Sequence, residues 1–223
     1  MLALRREGPV FVLAWSDDEN RFRDDSLAAW NAALDEIDAA EGPKALVTTG
    51  AGKFYSNGLD LDWALREARE RVPEFLLAVL GILGRVLTLA CPSVAAVNGH
   101  AFGAGAQLAV AHDLRLMRAE RGFWCLPEVD MRAPLHGGMT ALLRARLPAQ
   151  TAHEAIATGH RYGGEQARAA GIVEHALPEA ELLPKALALA AELAPKAHPV
   201  MHRLKSDLYA AVLSALRSRE SLG

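Results

Sequence analysis

Residues 92–113, PSVAAVNGHAFGAGAQLAVAHD, leave this chain few ways to fold. An apolar run at 94–97 meets Asn98-Gly99, then Gly103 and Gly105, and small or apolar residues fill 104–111 except at Gln107. So short an apolar β-branched run predicts a strand, and the small residues after the turn predict a buried helix. Between them lies a glycine-rich turn. The first N–H groups of a helix lack intrahelical partners, and glycine lets a ligand approach them, so the turn suits an anion or an oxyanion. It would serve equally as a tight strand-to-helix connection that binds nothing, and the stretch by itself leaves both readings open.

The rest of the chain alternates between strand and helix signals. Buried strands are expected at 10–15 and 44–49, separated by a helix from Ser26, as N-cap, to Ala40 with Leu27, Trp30, Leu34 and Ile37 on one face. Residues 50–60, GAGKFYSNGLD, read as one long loop, where function tends to concentrate. Helices are expected at 63–71, broken by Pro73, and at 75–89. Strands follow at 114–117 and 123–126, then helices at 139–146, 151–158 and 165–170, with Thr151 as N-cap and Glu154 closing a capping box. A short strand at 172–173 precedes helices at 179–193 and 199–217. The pattern predicts an α/β core over 1–177 and a helical region over 178–223.

Composition removes several function classes. With 223 residues, 51% apolar and 23% charged, the chain is long enough to bury one sizeable core. A net charge of −3 and the lack of a basic block argue against nucleic acid as partner. No stretch approaches the roughly 20 apolar residues of a membrane helix, and MLALRREG is too short an apolar run for a secretory signal. Ser221-Leu222-Gly223 is not a peroxisomal tripeptide, so a cytoplasmic protein is expected. Cys91 and Cys125 lack a CxxC partner and read as reduced thiols, and the eight histidines show no metal-ligand spacing. Gly52-Lys53 is not a phosphate loop, because Val47 and Phe54 stand at positions that need glycine and Ser or Thr. Leu108 likewise occupies the place of the third glycine in a dinucleotide fingerprint. Ser56 lacks the elbow of a serine hydrolase.

Three stretches, GKFYSNGLDL at 52–61, PSVAAVNGHAFGAGAQLAVAHDLRL at 92–116 and LPEVDMRAPLHGGM at 126–139, together with TGHRYGGEQARAAGIVEHAL at 158–177, carry a resemblance. In order and spacing they are similar to the crotonase, or enoyl-CoA hydratase/isomerase, superfamily, most of all to its short enoyl-CoA delta isomerases. The resemblance implies a spiral of strand-strand-helix units with a C-terminal helical region, and a homotrimer or dimer of trimers. It implies an acyl-CoA thioester as substrate in fatty acid metabolism, with coenzyme A entering only as part of that substrate and no other cofactor. Two backbone N–H groups, those of Leu59 and Ala104, would form the oxyanion hole. Ser56, Gly58, Asp60, Gly103 and Gly105 would shape the substrate site around them.

The resemblance also assigns the chemistry. Hydratases of this superfamily carry two glutamates, and at their positions stand Gln107 and Glu128. An amide cannot titrate, so hydration should be poor. A single carboxylate at Glu128 suits isomerisation of 3-enoyl-CoA to 2-enoyl-CoA through a dienolate held by the Leu59 and Ala104 N–H groups. Hydration, thioester hydrolysis or decarboxylation remain as alternatives, as does a non-catalytic acyl-CoA-binding protein. Glu128 also reads as a solvated loop acid, Asp60 as a loop brace, Asp113 as structural, and His136 as a loop histidine that approaches substrate in one of two readings. Trp63, Phe75 and Leu76 suit an acyl tunnel and core packing equally. Arg203, Lys205, Arg217 and Arg219 are expected on a solvated helix face rather than on coenzyme phosphates.

Overall fold

Parallel strands need crossovers rather than hairpins, and their burial on both faces calls for uniformly apolar runs. The computed structural model, which describes residues 1–67 and 69–219, is built largely of such strands. The first half runs β1 (Leu2–Glu7), β2 (Val10–Trp15), α1 (Asp24–Ala39), β3 (Ala45–Gly50), β4 (Phe54–Ser56), α2 (Leu61–Glu67), a 3-10 turn (Arg69–Arg71) and α3 (Val72–Leu87). The centre is β5 (Ser93–Val97), β6 (His100–Phe102), α4 (Ala104–Ala111), β7 (Leu114–Arg118), β8 (Trp124–Cys125) and α5 (Glu128–Met131). Then come α6 (Gly137–Arg146), α7 (Ala149–Thr158), α8 (Gly164–Ala169), β9 (His175–Leu177), α9 (Glu179–Leu193), α10 (Pro199–Leu208) and α11 (Ala210–Leu216).

The strands form two sheets. The larger has the order β1-β2-β3-β5-β7-β9, with β1 antiparallel to β2 and every other pair parallel. The smaller, β4-β6-β8, is wholly parallel. Side chains alternate across the larger sheet as the period of two requires. Val10, Val12, Val47, Val94, Ala96 and Leu116 meet Leu182, Ala186 and Ala190 of α9. Phe11, Leu13, Leu46, Ala95, Val97 and Met117 face the main core, where α1, α3 and α4 bury Trp30, Leu34, Leu83 and Leu108. A buried Lys44 ammonium donates to the carbonyls of Ile37, Asp38 and Ala40 and so closes the C-terminus of α1.

Local expectations fail where side-chain chemistry outside the element decides. Arg23, not Ser26, is the N-cap of α1, and Ser26 sits three residues in, where its hydroxyl accepts the Arg23 N–H at 2.8 Å. Pro73 starts α3 instead of breaking a helix, since proline is tolerated in a first turn. Pro148 precedes α7, and Glu154 accepts the Tyr162 hydroxyl at 2.7 Å in place of a capping box. The expected strand at 172–173 is a connection, and pairing with β7 starts at His175. Residues 50–60 contain β4, while β1 and β6 escape the apolar pattern altogether. The expected 199–217 helix is two helices meeting at Tyr209. Residues 220–223, which include the C-terminal tripeptide, and Ala68 lie outside the described residues.

A polar relay crosses the main core. The His112 Nδ1–H donates to the Leu108 carbonyl at 2.8 Å, which leaves Nε2 to accept from Thr48 Oγ1 at 3.0 Å. Thr48 Oγ1 in turn accepts from the Tyr55 hydroxyl at 2.7 Å. Burial holds the imidazole neutral and pushes its pKa from 6.5 down to about 4. An unfolded chain takes up this proton near 6.5 and the folded one only near 4, so folding stability falls as pH drops through that window. Urea denaturation at a series of pH values should show this loss, and His112→Gln should lessen its slope. Equal slopes in the two proteins would show that His112 is not the source.

Candidate active site

Three consecutive parallel strands each deliver one part of a site at their C-terminal ends. Gly58-Leu59 follow β4, Gly103-Ala104 follow β6, and Pro127-Glu128 follow β8. The carboxyl ends of parallel strands are where such sheets leave room for ligands. Here they open on a cavity of about 560 Å³ lined by Gly58, Leu59, Gly103, Ala104 and Glu128.

The first loop is clamped by a segment that sequence patterning passes over. The Phe22 N–H donates to the Gly58 carbonyl at 2.8 Å, and the Asp60 N–H donates to the Phe22 carbonyl at 3.1 Å. These two bonds point Gly58 C=O and Asp60 N–H toward Phe22, so the intervening Leu59 N–H faces the other way. Asn20 donates to the Phe54 carbonyl, and the Asn57 N–H donates to the Glu19 carbonyl, which fixes the approach to the turn. Among the described residues, neither the Leu59 nor the Ala104 N–H enters a loop or capping hydrogen bond.

The second loop is held by glycine geometry. Gly103 caps α4 with φ 51° and ψ −121°, a conformation closed to residues with a Cβ. The Ala104 N–H is the first of the helix and so has no partner within it. Gly58, at φ +77°, lies against this loop: a Cβ there would sit 2.8 Å from the Phe102 carbonyl oxygen and 3.1 Å from the Ala104 nitrogen. The two free donors are thereby held side by side.

The Glu128 carboxylate stands beside them. A Cβ on Gly103 would lie 3.5 Å from Glu128 Oε1. Glu128 Oε2 is buried and has no hydrogen-bond partner among the described residues. Burial raises the carboxyl pKa above the ordinary 4.5, and its own backbone N–H only partly offsets this. A carboxylate so placed is a stronger base than one in water.

Not every expected residue reaches the cavity. Ser56 is fully buried behind it, donating to the Asn20 carbonyl at 2.7 Å and accepting from the Gly58 N–H at 3.2 Å. Gly105 packs against Ser56, leaving no room for a side chain. Asp60 accepts the Trp63 N–H at 3.0 Å at the start of α2 and lies within 3.8 Å of Arg21 and Arg23. These three brace the loops. Asp113 is structural as expected, accepting from the Ser93 N–H, but Lys205 is not on a solvated face, because it pairs with Asp113 at 2.7 Å. Gln107 is fully buried on α4, and neither its amide oxygen nor its nitrogen has a partner among the described residues.

His136 does line the cavity, but both of its ring nitrogens are committed. Nδ1 accepts the Gly138 N–H at 3.0 Å at the start of α6, and Nε2–H donates to the Ser218 carbonyl at 3.1 Å. The ring ties the C-terminal segment to the cavity wall. Phe75 and Leu76 line the cavity, with Trp63 packed behind Phe75. Arg21 also lines it, and sequence patterning missed it, because it lies in a polar stretch whose only signal is its neighbour Asn20.

Two backbone N–H groups beside a half-buried carboxylate, on one cavity, are groups that can polarise a carbonyl and move a proton next to it. The enoyl-CoA hydratase/isomerase family model matches residues 11–221. The chain is 35% identical over 182 residues to an enoyl-CoA delta isomerase of Arabidopsis thaliana, covering 79% of this chain and 76% of that protein. It is 33% identical over 214 residues to a carnitinyl-CoA dehydratase of Salmonella paratyphi A, covering 94% and 80%. The solved enoyl-CoA hydratase/isomerase family protein of Pseudomonas syringae superposes with a TM-score of 0.89 at 25% identity, over 96% of this chain and 93% of that one. This chain belongs to the enoyl-CoA hydratase/isomerase family and has the crotonase fold.

The close fit of the two glycine loops is open to test. Gly58→Ala forces a Cβ against the Phe102 carbonyl and the Ala104 nitrogen, and turnover of an enoyl-CoA thioester should fall, by about 100- to 1,000-fold where the displaced loop N–H binds the transition state. Steady-state kinetics should show this loss mainly in kcat, with the secondary structure intact by circular dichroism. An unchanged kcat would separate the loop contact from catalysis.

Proposed function

We propose that this protein is an enoyl-CoA isomerase that converts 3-enoyl-CoA to 2-enoyl-CoA. One observation carries the reading: the half-buried Glu128 carboxylate stands beside Gly103-Ala104 with its Oε2 buried and unpartnered among the described residues, while Asp62, the other carboxylate on the cavity, is exposed and Gln107 is an amide. The Glu128 carboxylate takes a proton from C2. The electron pair moves onto the thioester oxygen, where the Leu59 and Ala104 N–H groups stabilise the dienolate. Each such donor is worth about 3 to 4 kcal/mol to the transition state. The same carboxyl, now protonated, returns its proton to C4, and the double bond settles between C2 and C3. The chemistry asks for no cofactor beyond the coenzyme A of the substrate. Relatives named enoyl-CoA delta isomerase support the reading.

A hydratase or dehydratase reading draws on the likeness to carnitinyl-CoA dehydratases. Against it, Gln107 cannot share proton transfers to and from water. The reading includes a homotrimer or dimer of trimers, for which the exposed Val200, Leu204 and Leu208, spaced four residues apart on α10, offer an apolar face. It also includes a cytoplasmic location, which suits two buried free cysteines. No helix among the described residues is long and apolar enough to cross a membrane.

Glu128→Gln tests the role of the carboxylate. Turnover of 3-hexenoyl-CoA should fall about 100- to 10,000-fold. In the wild type, kcat/KM should decline as pH falls through the raised Glu128 pKa, because protonation removes the base, with a midpoint above 4.5. The stability effect has the opposite sign to the activity effect. The fold binds this proton more tightly than the unfolded chain does, so the ionised carboxylate costs stability once pH exceeds the folded pKa. Glu128→Gln should therefore melt at a higher temperature than wild type at pH 7. Retained turnover in the variant would remove Glu128 from the mechanism.

A further inference from the structure

The cavity is asymmetric. Its glycine-loop side carries the two N–H groups and Glu128, and α2, α3, the segment after α5 and α6 contribute mainly apolar side chains, Ala64, Val72, Phe75, Leu76, Leu135 and Met139, with the exposed Asp62 and the backbone-bonded His136 as the polar exceptions. These apolar residues differ in what stands behind them. Leu61 and Met131 line the cavity at 40% and 51% exposure, so they rim its open side. Phe75 lines it at 4% exposure and, with Ala64 and Met139, belongs to its buried wall, where its ring is the largest apolar side chain. Trp63 meets that ring edge to face, with centroids 5.4 Å apart. One turn further along α3, Val79 and Leu80 are fully buried. Phe75 is therefore backed by close-packed groups and has little freedom to retreat from a ligand.

We propose that Phe75, held by Trp63, is the stop that sets the acyl chain length this site accepts. The thioester carbonyl engages the Leu59 and Ala104 N–H groups, the coenzyme leaves by the rim at Leu61 and Met131, and the acyl chain runs inward along the apolar walls until it meets Phe75. The site then takes short and medium chains and rejects long ones. Trp63 acts through Phe75 as a positioning residue and does not touch the chain. The identity of the thioester rests on the isomerase reading, but the chain-length stop does not depend on which reaction the carboxylate performs.

The test uses two series and three proteins. Wild type, Phe75→Leu and Trp63→Phe would be given 3-hexenoyl-, 3-octenoyl-, 3-decenoyl-, 3-dodecenoyl- and 3-hexadecenoyl-CoA, and kcat/KM measured for each. Dissociation constants for the matching saturated acyl-CoA thioesters would be measured in parallel by calorimetry. Phe75→Leu keeps an apolar side chain in the core, which preserves the fold where truncation to alanine would open a void. In wild type, both kcat/KM and affinity should drop steeply beyond one chain length. In Phe75→Leu, the hexadecenoyl-to-octenoyl ratio of kcat/KM should rise about tenfold or more. The drop should move to longer chains in both series, and Trp63→Phe should shift it less. Identical chain-length profiles in wild type and Phe75→Leu would overturn the stop. Absent turnover with a chain-length limit in binding that Phe75→Leu moves would overturn the isomerase reading and keep the stop. Absent binding of every thioester would overturn both.

Discussion

The parallel pairing of β4, β6 and β8 is the constraint on which the site depends. Each strand is only two or three residues long, too short for much stability of its own. Registered together, they set Gly58-Leu59, Gly103-Ala104 and Pro127-Glu128 side by side although these pairs are far apart in sequence. The larger sheet and the helices on its faces supply the rigidity that the small sheet lacks. Within it, the 19–22 segment fixes the first loop through Phe22, and α4 fixes the second through its own first turn.

Electrostatics follow from this placement. Backbone N–H groups add no formal charge, and although Arg21 lines the same cavity, Glu128 has no ion pair among the described residues and burial raises its pKa. That arrangement opposes stability and favours base strength, a conflict that folded proteins tolerate at working sites. Gln107 carries a similar cost without a charge: a fully buried amide with neither polar atom paired among the described residues. His136 contributes differently, binding the C-terminal segment to the cavity wall with a ring whose nitrogens are both spent on the backbone.

Much of this was legible in the sequence, for definite reasons. The glycines at 58, 103 and 105 mark backbone positions that side chains would block, and the apolar run before Asn98 marks a strand, which the structure buries along its whole length. Glu128 by position alone reads as a solvated loop acid, and only its register with the three other family-like stretches singles it out. What stayed hidden were features that depend on partners distant in sequence. The strands β4 and β6 are too short to show a period, and Phe22, which aims the Leu59 N–H, looks like any core aromatic. Arg23 displaced Ser26 as N-cap of α1 because the hydroxyl of Ser26 serves the Arg23 N–H from inside the helix. Phe75 read equally well as core or as tunnel, and its ring is both buried and part of the cavity lining, a combination that a core pattern in the sequence does not separate from plain packing.

The central claim is that one carboxylate with two backbone donors moves a double bond and does not add water. Its most direct test is to incubate the protein with 3-hexenoyl-CoA and, separately, with 2-hexenoyl-CoA in deuterated water, and to identify the products by NMR and mass spectrometry. The account expects the first to become 2-hexenoyl-CoA, with no 3-hydroxyhexanoyl-CoA from either substrate. Formation of 3-hydroxyhexanoyl-CoA at a rate comparable to isomerisation would contradict it.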